Sequence, residues 1–319
     1  MHHASGFGPV TPVTQDTLQG FDAAPDLKIR TRRDIGRFAE AGALRALMVL
    51  AGLVPVGIAS AIGGFLGRAI GLHIGASRRA LRSVGRAFPE NDTLENRRIV
   101  KGMWENLGRA FGEYAHLRTI SDPHSGRVEI VNGDAISTLV AAGKPAILFG
   151  GHFGNWEVGP SVIHRLMGDT LMSVYRAPNN PWIDRMLGRF MPKRLAVPKG
   201  RDGGRQLVRH LQNGGSCAFL VDQKMNDGIA VPFFGRPAMT APAVARLALR
   251  FDCPIIPVHV ERLRGAHFRF TVLAPIDTPA TGDTGADVLT IMTRVNALVE
   301  DWVRRRPEQW LWLHRRWSD

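Results

Sequence analysis

Cysteine is scarce in this chain: only Cys217 and Cys253 occur in 319 residues, and they form no C-x-x-C pair. That excludes a disulfide framework and a thiolate metal cluster. Both sit in short apolar runs, SCAFLV and CPIIPV, which read as buried strands in a reduced, cytoplasmic setting. Lysine is also rare, six residues against 41 Lys and Arg together. Three catalytic signatures are missing. There is no G-x-S-x-G elbow, no H-E-x-x-H zinc pair and no G-x-x-x-x-G-K-[ST] phosphate loop. A serine hydrolase or a nucleotide-dependent enzyme therefore has little support.

What is present is positive charge, +13 at neutral pH, carried mostly by arginine. Such a balance calls for an anionic partner: nucleic acid, an anionic membrane, a phosphorylated substrate or an acidic protein. Arginine suits bidentate phosphate contacts. Hydrophobic residues make up 45% of the chain and charged residues 22%, enough to build a globular core.

Residues 1–26 lack periodicity and read as a disordered tail. Residues 27–77 form a basic and hydrophobic unit expected to associate with membranes. Its centre, Ala46–Gly67, runs 22 residues without a charge. As a single helix this run would be about 33 Å long, close to a bilayer core of about 30 Å. Pro55 and five glycines invite a bend. The flanks are balanced, six Lys or Arg in 26–45 and five in 68–87, so the positive-inside rule does not choose an orientation. A spanning helix, a bent in-plane element and a core helix all remain open.

Residues 78–319 read as an α/β domain. An amphipathic helical region over 78–120 is broken at Phe88-Pro89-Glu90, with Trp104, Leu107, Phe111 and Tyr114 on one stripe. Strands are predicted at 146–151, 171–175, 217–221, 254–260 and 268–273. Helices are predicted at 155–167, 181–191, 203–213, 243–250 and 288–304. The alternation implies a largely parallel central sheet flanked by helices.

Chemistry concentrates in AILFGGHFGNWE. His152 falls at the carboxyl end of a buried strand, and Glu157 opens the next helix. Functional groups in open α/β sheets collect at such strand ends. Gly150, Gly151 and Gly154 permit a tight turn, and their N–H groups could serve a developing oxyanion. A histidine held by a carboxylate is a competent general base for a hydroxyl. The densest basic stretch, 181–210, carries eight Lys or Arg against Asp184 and Asp202. It suits phosphates or an acidic protein, or is simply a solvated face. The closing PEQWLWLHRRW, with three tryptophans, suits either a membrane interface or packing beneath the sheet.

His152-Phe-Gly-Asn-Trp-Glu157 has the H-x4-D/E form of glycerolipid acyltransferases. The chain resembles the late (secondary) acyltransferases of bacterial lipid A biosynthesis. The resemblance also rests on Arg86–Glu90, Val174–Pro181, Pro198–Gly200, Val221–Gln223, Val231–Gly235 and Pro307–Trp317, in order from about residue 40 onward. It implies acyl transfer from an acyl carrier protein thioester to a hydroxyl of a phosphorylated glycolipid, at the cytoplasmic face of the inner membrane. It further implies that His152 is the base, that Glu157 orients the imidazole, and that no metal or nucleotide takes part. Arg176, Arg189, Lys199, Asp222 and Gln223 are the implied substrate-binding residues, with Arg185 as the equivalent of Arg189 if the register slips. Enzymes that acylate mannosylated inositol lipids share much of the pattern, so that acceptor stays open. A non-catalytic basic protein binding membranes or nucleic acid is the other class that charge permits. The ordered motif set argues against it, and no nucleic-acid partner is expected.

Overall fold

The computed structural model describes residues 31–175, 178–187, 196–198 and 200–317. The expected disordered tail, Arg176, Arg189 and Lys199 lie outside them.

The chain opens with helices. Helix α1 (Arg32–Gly52) starts at a capping box, in which Thr31 Oγ1 accepts from Asp34 N–H and the Asp34 carboxylate accepts from Thr31 N–H. Pro55 then stands between α1 and α2 (Val56–Ile70). Proline lacks the N–H that a continuous helix needs, so the uncharged run Ala46–Gly67 is divided between two helices and is not one rod. Helices α3 (Ser77–Ala87), α4 (Thr93–Glu113) and α5 (Leu117–Ser121) follow. The break at Phe88–Glu90 falls between α3 and α4, and α4 starts at a second capping box, Asp92 with Glu95.

The α/β part comprises β1 (Val128–Val131), α6 (Asp134–Ala141), β2 (Ile147–Gly150), α7 (Val158–Met167), β3 (Leu171–Tyr175), α8 (Pro181–Leu187), β4 (Ala196–Pro198), α9 (Arg201–Gln212) and β5 (Ser216–Leu220). It continues with a β6 (Ile229–Phe233) and β7 (Arg236–Thr240) hairpin, α10 (Ala243–Phe251), β8 (Ile255–Arg264), β9 (His267–Val272) and α11 (Thr284–Arg305). Seven strands form one sheet in the order β1-β9-β8-β2-β5-β3-β4. Neighbours β8, β2, β5, β3 and β4 are mutually parallel, whereas β9 runs antiparallel to β8 and carries β1 parallel to itself. The largely parallel expectation holds, with a reversed edge. Strand β1, strand β4 and the small hairpin were not foreseen.

Alternation along β2 divides the core. Ile147 and Phe149 pack on the side of α3, α10 and α11, while Leu148 packs on the side of α7. Strand β2 is buried along its whole length, as a central parallel strand must be. Cys217 lies in β5 and Cys253 just before β8, both free and buried in this core. Trp310, Trp312 and Trp317 are buried too, so the carboxyl-terminal aromatics pack under the sheet and do not face a membrane.

Candidate active site

Strand register brings the first pair of residues together. Gly150 of β2 lies opposite Leu220 of β5. Val221 N–H still donates to the Gly150 carbonyl, extending that ladder. Two residues beyond the paired positions stand His152 and Asp222. Their contact is bidentate: His152 Nδ1 lies 2.7 Å from Asp222 Oδ1, and His152 backbone N–H donates to Asp222 Oδ2 at 2.7 Å. Trp310 Nε1–H donates to the same Oδ2 at 2.8 Å.

Asp222 is 1% exposed, so it reaches a substrate only through His152. Burial alone would raise its pKa. The His152 charge and the hydrogen bonds from the His152 ring and backbone overcome this and hold the carboxyl well below its ordinary range. Burial would correspondingly lower the His152 pKa. The Asp222 charge and hydrogen bond, with a smaller contribution from Glu157, raise it instead. Because the carboxylate only accepts, Nδ1 carries the proton and Nε2 presents its lone pair. The Gln223 side-chain amide approaches that Nε2 at 3.3 Å and His314 Nε2 at 3.4 Å. The His152 and His314 rings are 4.7 Å apart, and the Trp156 ring lies 5.2 Å from His152.

Glu157 takes a different place from the one the resemblance implied. Its Oε1 accepts from Trp156 Nε1–H at 3.0 Å. Its Oε2 is inaccessible and has no hydrogen-bond partner among the described residues. Burial raises the Glu157 pKa, opposed by the Trp156 hydrogen bond and the His152 charge. Glu157 thus acts on His152 through its field, whereas the orienting hydrogen bond belongs to Asp222. The physical reason is the strand register. It delivers Asp222 beside Nδ1, while Glu157 has been carried onto the start of α7.

The three glycines shape the turn. A Cβ on Gly150 would meet the Val258 carbonyl at 2.9 Å, and one on Gly151 would meet Asp222 Oδ2 at 3.0 Å. Gly154 has φ of 55° and donates its N–H to the Gln309 carbonyl at 3.1 Å, so that N–H is not available to an oxyanion. The segment Gln309–Leu311 lies along this turn, with Leu311 N–H donating to the His152 carbonyl.

Beneath the turn sits a buried polar hub on which sequence reading was silent. Glu113 Oε1 accepts from Ser60 of α2 at 2.7 Å, and Oε2 accepts from Asn155 of the catalytic turn at 2.9 Å. Arg262 of β8 forms a bidentate ion pair with Glu113 and donates from Nε to Asn106 Oδ1 at 2.8 Å. Asn106 in turn donates to the Gly154 carbonyl at 2.8 Å. The buried face of α4 is Val100, Met103, Asn106, Ala110 and Glu113, while Phe111 of the expected stripe is exposed. His314 was also missed, although it stands inside the matched PEQWLWLHRRW run. Of the basic stretch, Arg205 and Arg209 of α9 join Arg246 and Arg250 of α10 around one groove floored by Leu207 and Leu247.

A hydrogen-bonded His–Asp pair at the carboxyl ends of two central parallel strands is equipment for deprotonating a hydroxyl, and the comparisons set the reaction: the enzyme is an acyltransferase. Residues 28–319 match the family model described as bacterial lipid A biosynthesis acyltransferase, and the chain belongs to that family. It is similar to the lipid A biosynthesis lauroyltransferase of Escherichia coli (strain K12), 25% identical over 244 residues, covering 74% of this chain and 77% of that protein. The myristoyltransferase of the same organism is 27% identical over 264 residues, covering 80% and 78%. The phosphatidylinositol mannoside acyltransferase of Mycobacterium tuberculosis (strain ATCC 25618 / H37Rv) is 25% identical over 224 residues, covering 65% and 68%.

Proposed function

We propose that the enzyme moves a fatty acyl chain from an acyl carrier protein thioester to a hydroxyl of a lipid A precursor, with His152 as general base. The observation that carries this reading is the 2.7 Å contact between His152 Nδ1 and Asp222 Oδ1, which commits Nδ1 to donating and leaves Nε2 to act as the base. The acceptor O–H passes its proton to Nε2 as its oxygen attacks the thioester carbonyl. Imidazolium is stabilised at that moment by Asp222 directly and by Glu157 through space. Collapse of the tetrahedral adduct breaks the C–S bond, and the leaving thiolate takes the proton back from His152. The Gln223 amide, between the two histidines, is placed to donate to oxygen in the reacting group. Arg176, Arg189 and Lys199 are proposed to hold phosphate. The arginine groove between α9 and α10 supports an acidic donor by charge complementarity.

The likeness to a phosphatidylinositol mannoside acyltransferase supports a second acceptor, a mannosylated inositol lipid. We place the enzyme at the inner membrane with its catalytic domain on the cytoplasmic face. Purified enzyme should be given labelled acyl carrier protein with each acceptor in turn. Transfer to the lipid A precursor that disappears in a folded His152→Ala variant is the expected result. Transfer to the inositol lipid alone would replace the acceptor, and undiminished transfer by His152→Ala would overturn the base.

A further inference from the structure

The apolar surface near the amino terminus lies on two helices that differ in how they are held. Helix α1 exposes Leu47 and Leu50, Leu53 just beyond its end is exposed as well, and α2 exposes Ile58, Ile62 and Phe65. The α2 positions recur at helical spacing and form one stripe. Phe65 is 71% and Leu53 75% exposed, values far from those of core residues. Exposed arginines flank the apolar run along the chain, Arg32, Arg33 and Arg45 before it and Arg68, Arg78 and Arg79 after it. An apolar face between basic flanks fits an anionic lipid surface.

Crossing the bilayer is a different matter. By length and composition one stretch among the described residues qualifies, the 18 residues Val56–His73. Its far side, however, is bonded to α4. The two backbones touch through glycines: a Cβ on Gly63 would fall 2.2 Å from the Gly108 carbonyl, and one on Gly67 would fall 2.1 Å from the Trp104 carbonyl. Ser60 donates to the buried Glu113, and Arg68 pairs with Glu105 at 2.9 Å. Helix α4 also carries Arg97, Arg98, Lys101, Glu105 and Arg109, and each charge placed at a bilayer centre costs about 2.5–3.5 kcal/mol or more. Spanning would drag those charges into hydrocarbon or strip α2 from α4 and leave Glu113 without Ser60. Helix α1 is no substitute, since Arg32, Arg33, Asp34, Arg37, Glu40 and Arg45 lie within it.

We propose that α1 and α2 form a bent, in-plane membrane seat that does not cross the bilayer, so the amino-terminal end of α1 lies on the same side as the active site. Pro55 is the bend that lets two helices press one continuous apolar face onto the surface. Balanced basic flanks follow from this arrangement, because both ends of the run meet the same anionic headgroups. The proposal rests on the reading that the enzyme works at a membrane, and its test separates the two.

Single cysteines are placed by Ser5→Cys and, separately, by Asp277→Cys, whose native side chain is 95% exposed. Each full-length variant is reacted with a membrane-impermeant maleimide in right-side-out and in inverted membrane vesicles. The native cysteines are buried and serve as the background. Both reporters should react in the same vesicle orientation, and the protein should stay with the membrane in high salt. Reaction from opposite sides, with membrane retention, overturns the in-plane seat and leaves the membrane reading intact. Release by salt alone overturns both. A Phe65→Asp variant of unchanged thermal stability should bind vesicles of phosphatidylethanolamine and phosphatidylglycerol about ten- to hundredfold more weakly. Unchanged vesicle binding would also overturn the seat.

Discussion

His152 and Asp222 are joined twice, through Nδ1 at 2.7 Å to Oδ1 and through the backbone N–H at 2.7 Å to Oδ2. The second contact makes the first one discriminating. Oδ2 receives two donors, the His152 N–H and the Trp310 indole N–H, so whatever atom stands there must accept.

In Asp222→Asn the amide oxygen is therefore forced to the Oδ2 position, and the NH2 is left facing Nδ1. The imidazole must then carry its proton on Nε2, where no base remains. The turnover number should fall about 10²–10⁴-fold in a protein with an unchanged circular dichroism spectrum. The pH profile provides a second readout. Asp222 raises the His152 pKa, so a higher pH is needed to free the base in the native enzyme. Residual activity of Asp222→Asn should rise at lower pH than in the native enzyme. An acid limb that does not move would deny the carboxylate its effect on His152.

Glu157→Gln separates the field of a carboxylate from the hydrogen bond of one. Trp156 Nε1–H can still donate to the amide oxygen, and no bond to His152 is lost, because none is made. Transfer should fall at least tenfold less than in Asp222→Asn. The raised Glu157 pKa means that its ionised form is disfavoured by folding, so stability is lost as pH rises through the folded pKa. Removing that charge should leave the melting temperature at neutral pH unchanged or higher. Equal damage from both substitutions would return the orienting role to Glu157.

These two carboxylates also mark what sequence reading can reach. The strand before His152, the helix after it and the glycine turn follow from local pattern, and the structure has each of them. Asp222 was singled out as a strand-end acid, but its bond to His152 depends on β2 and β5 being neighbours in register. Sequence order separates them by two intervening strands, so periodicity carries no trace of the pairing. The reversed β9 escaped for the same reason, since a run such as HFRFTV looks alike in either direction. On α4 an apolar stripe was the wrong guide, because the buried face includes Asn106 and Glu113 and the helix is covered on one side by α2. The proline break at Pro55 was visible, and only the packing of α2 against α4 decided what it meant.

The Glu113–Arg262 pair should be costly to break from either side. Glu113→Ala leaves a buried guanidinium and also releases Ser60 and Asn155. Loss of one partner from a buried ion pair destabilises by about 3–5 kcal/mol, which a urea titration would register as a lower midpoint. Catalysis should suffer in the surviving folded fraction, because Asn155 belongs to the His152 turn. A double-mutant cycle of Glu113→Gln with Ser60→Ala should give a coupling of at least about 0.5 kcal/mol. Strict additivity would mean that α2 and the hub are independent.

His259 sets the acid side of the stability profile. Its ring stacks on Trp302 at 4.6 Å and meets Phe153 edge-on at 5.0 Å, and Nδ1 has no hydrogen-bond partner among the described residues. Burial is the main cause that pushes its pKa down to about 4, with Arg305 assisting and Glu261 and Asp301 opposing. Above the ordinary histidine value of about 6.5 both folded and unfolded chains hold the ring neutral, and the group has no effect. As pH falls from there towards 4, the unfolded chain takes up a proton that the folded one refuses, so stability declines. The full loss is about 3 kcal/mol, reached only below the folded pKa. His259→Phe keeps an aromatic ring between Trp302 and Phe153 and removes the titration. Its urea midpoint between pH 7 and pH 4.5 should fall less than that of the native protein. Parallel declines in the two proteins would show that His259 takes up its proton alike in the folded and unfolded chains, and would place the acid sensitivity on other groups.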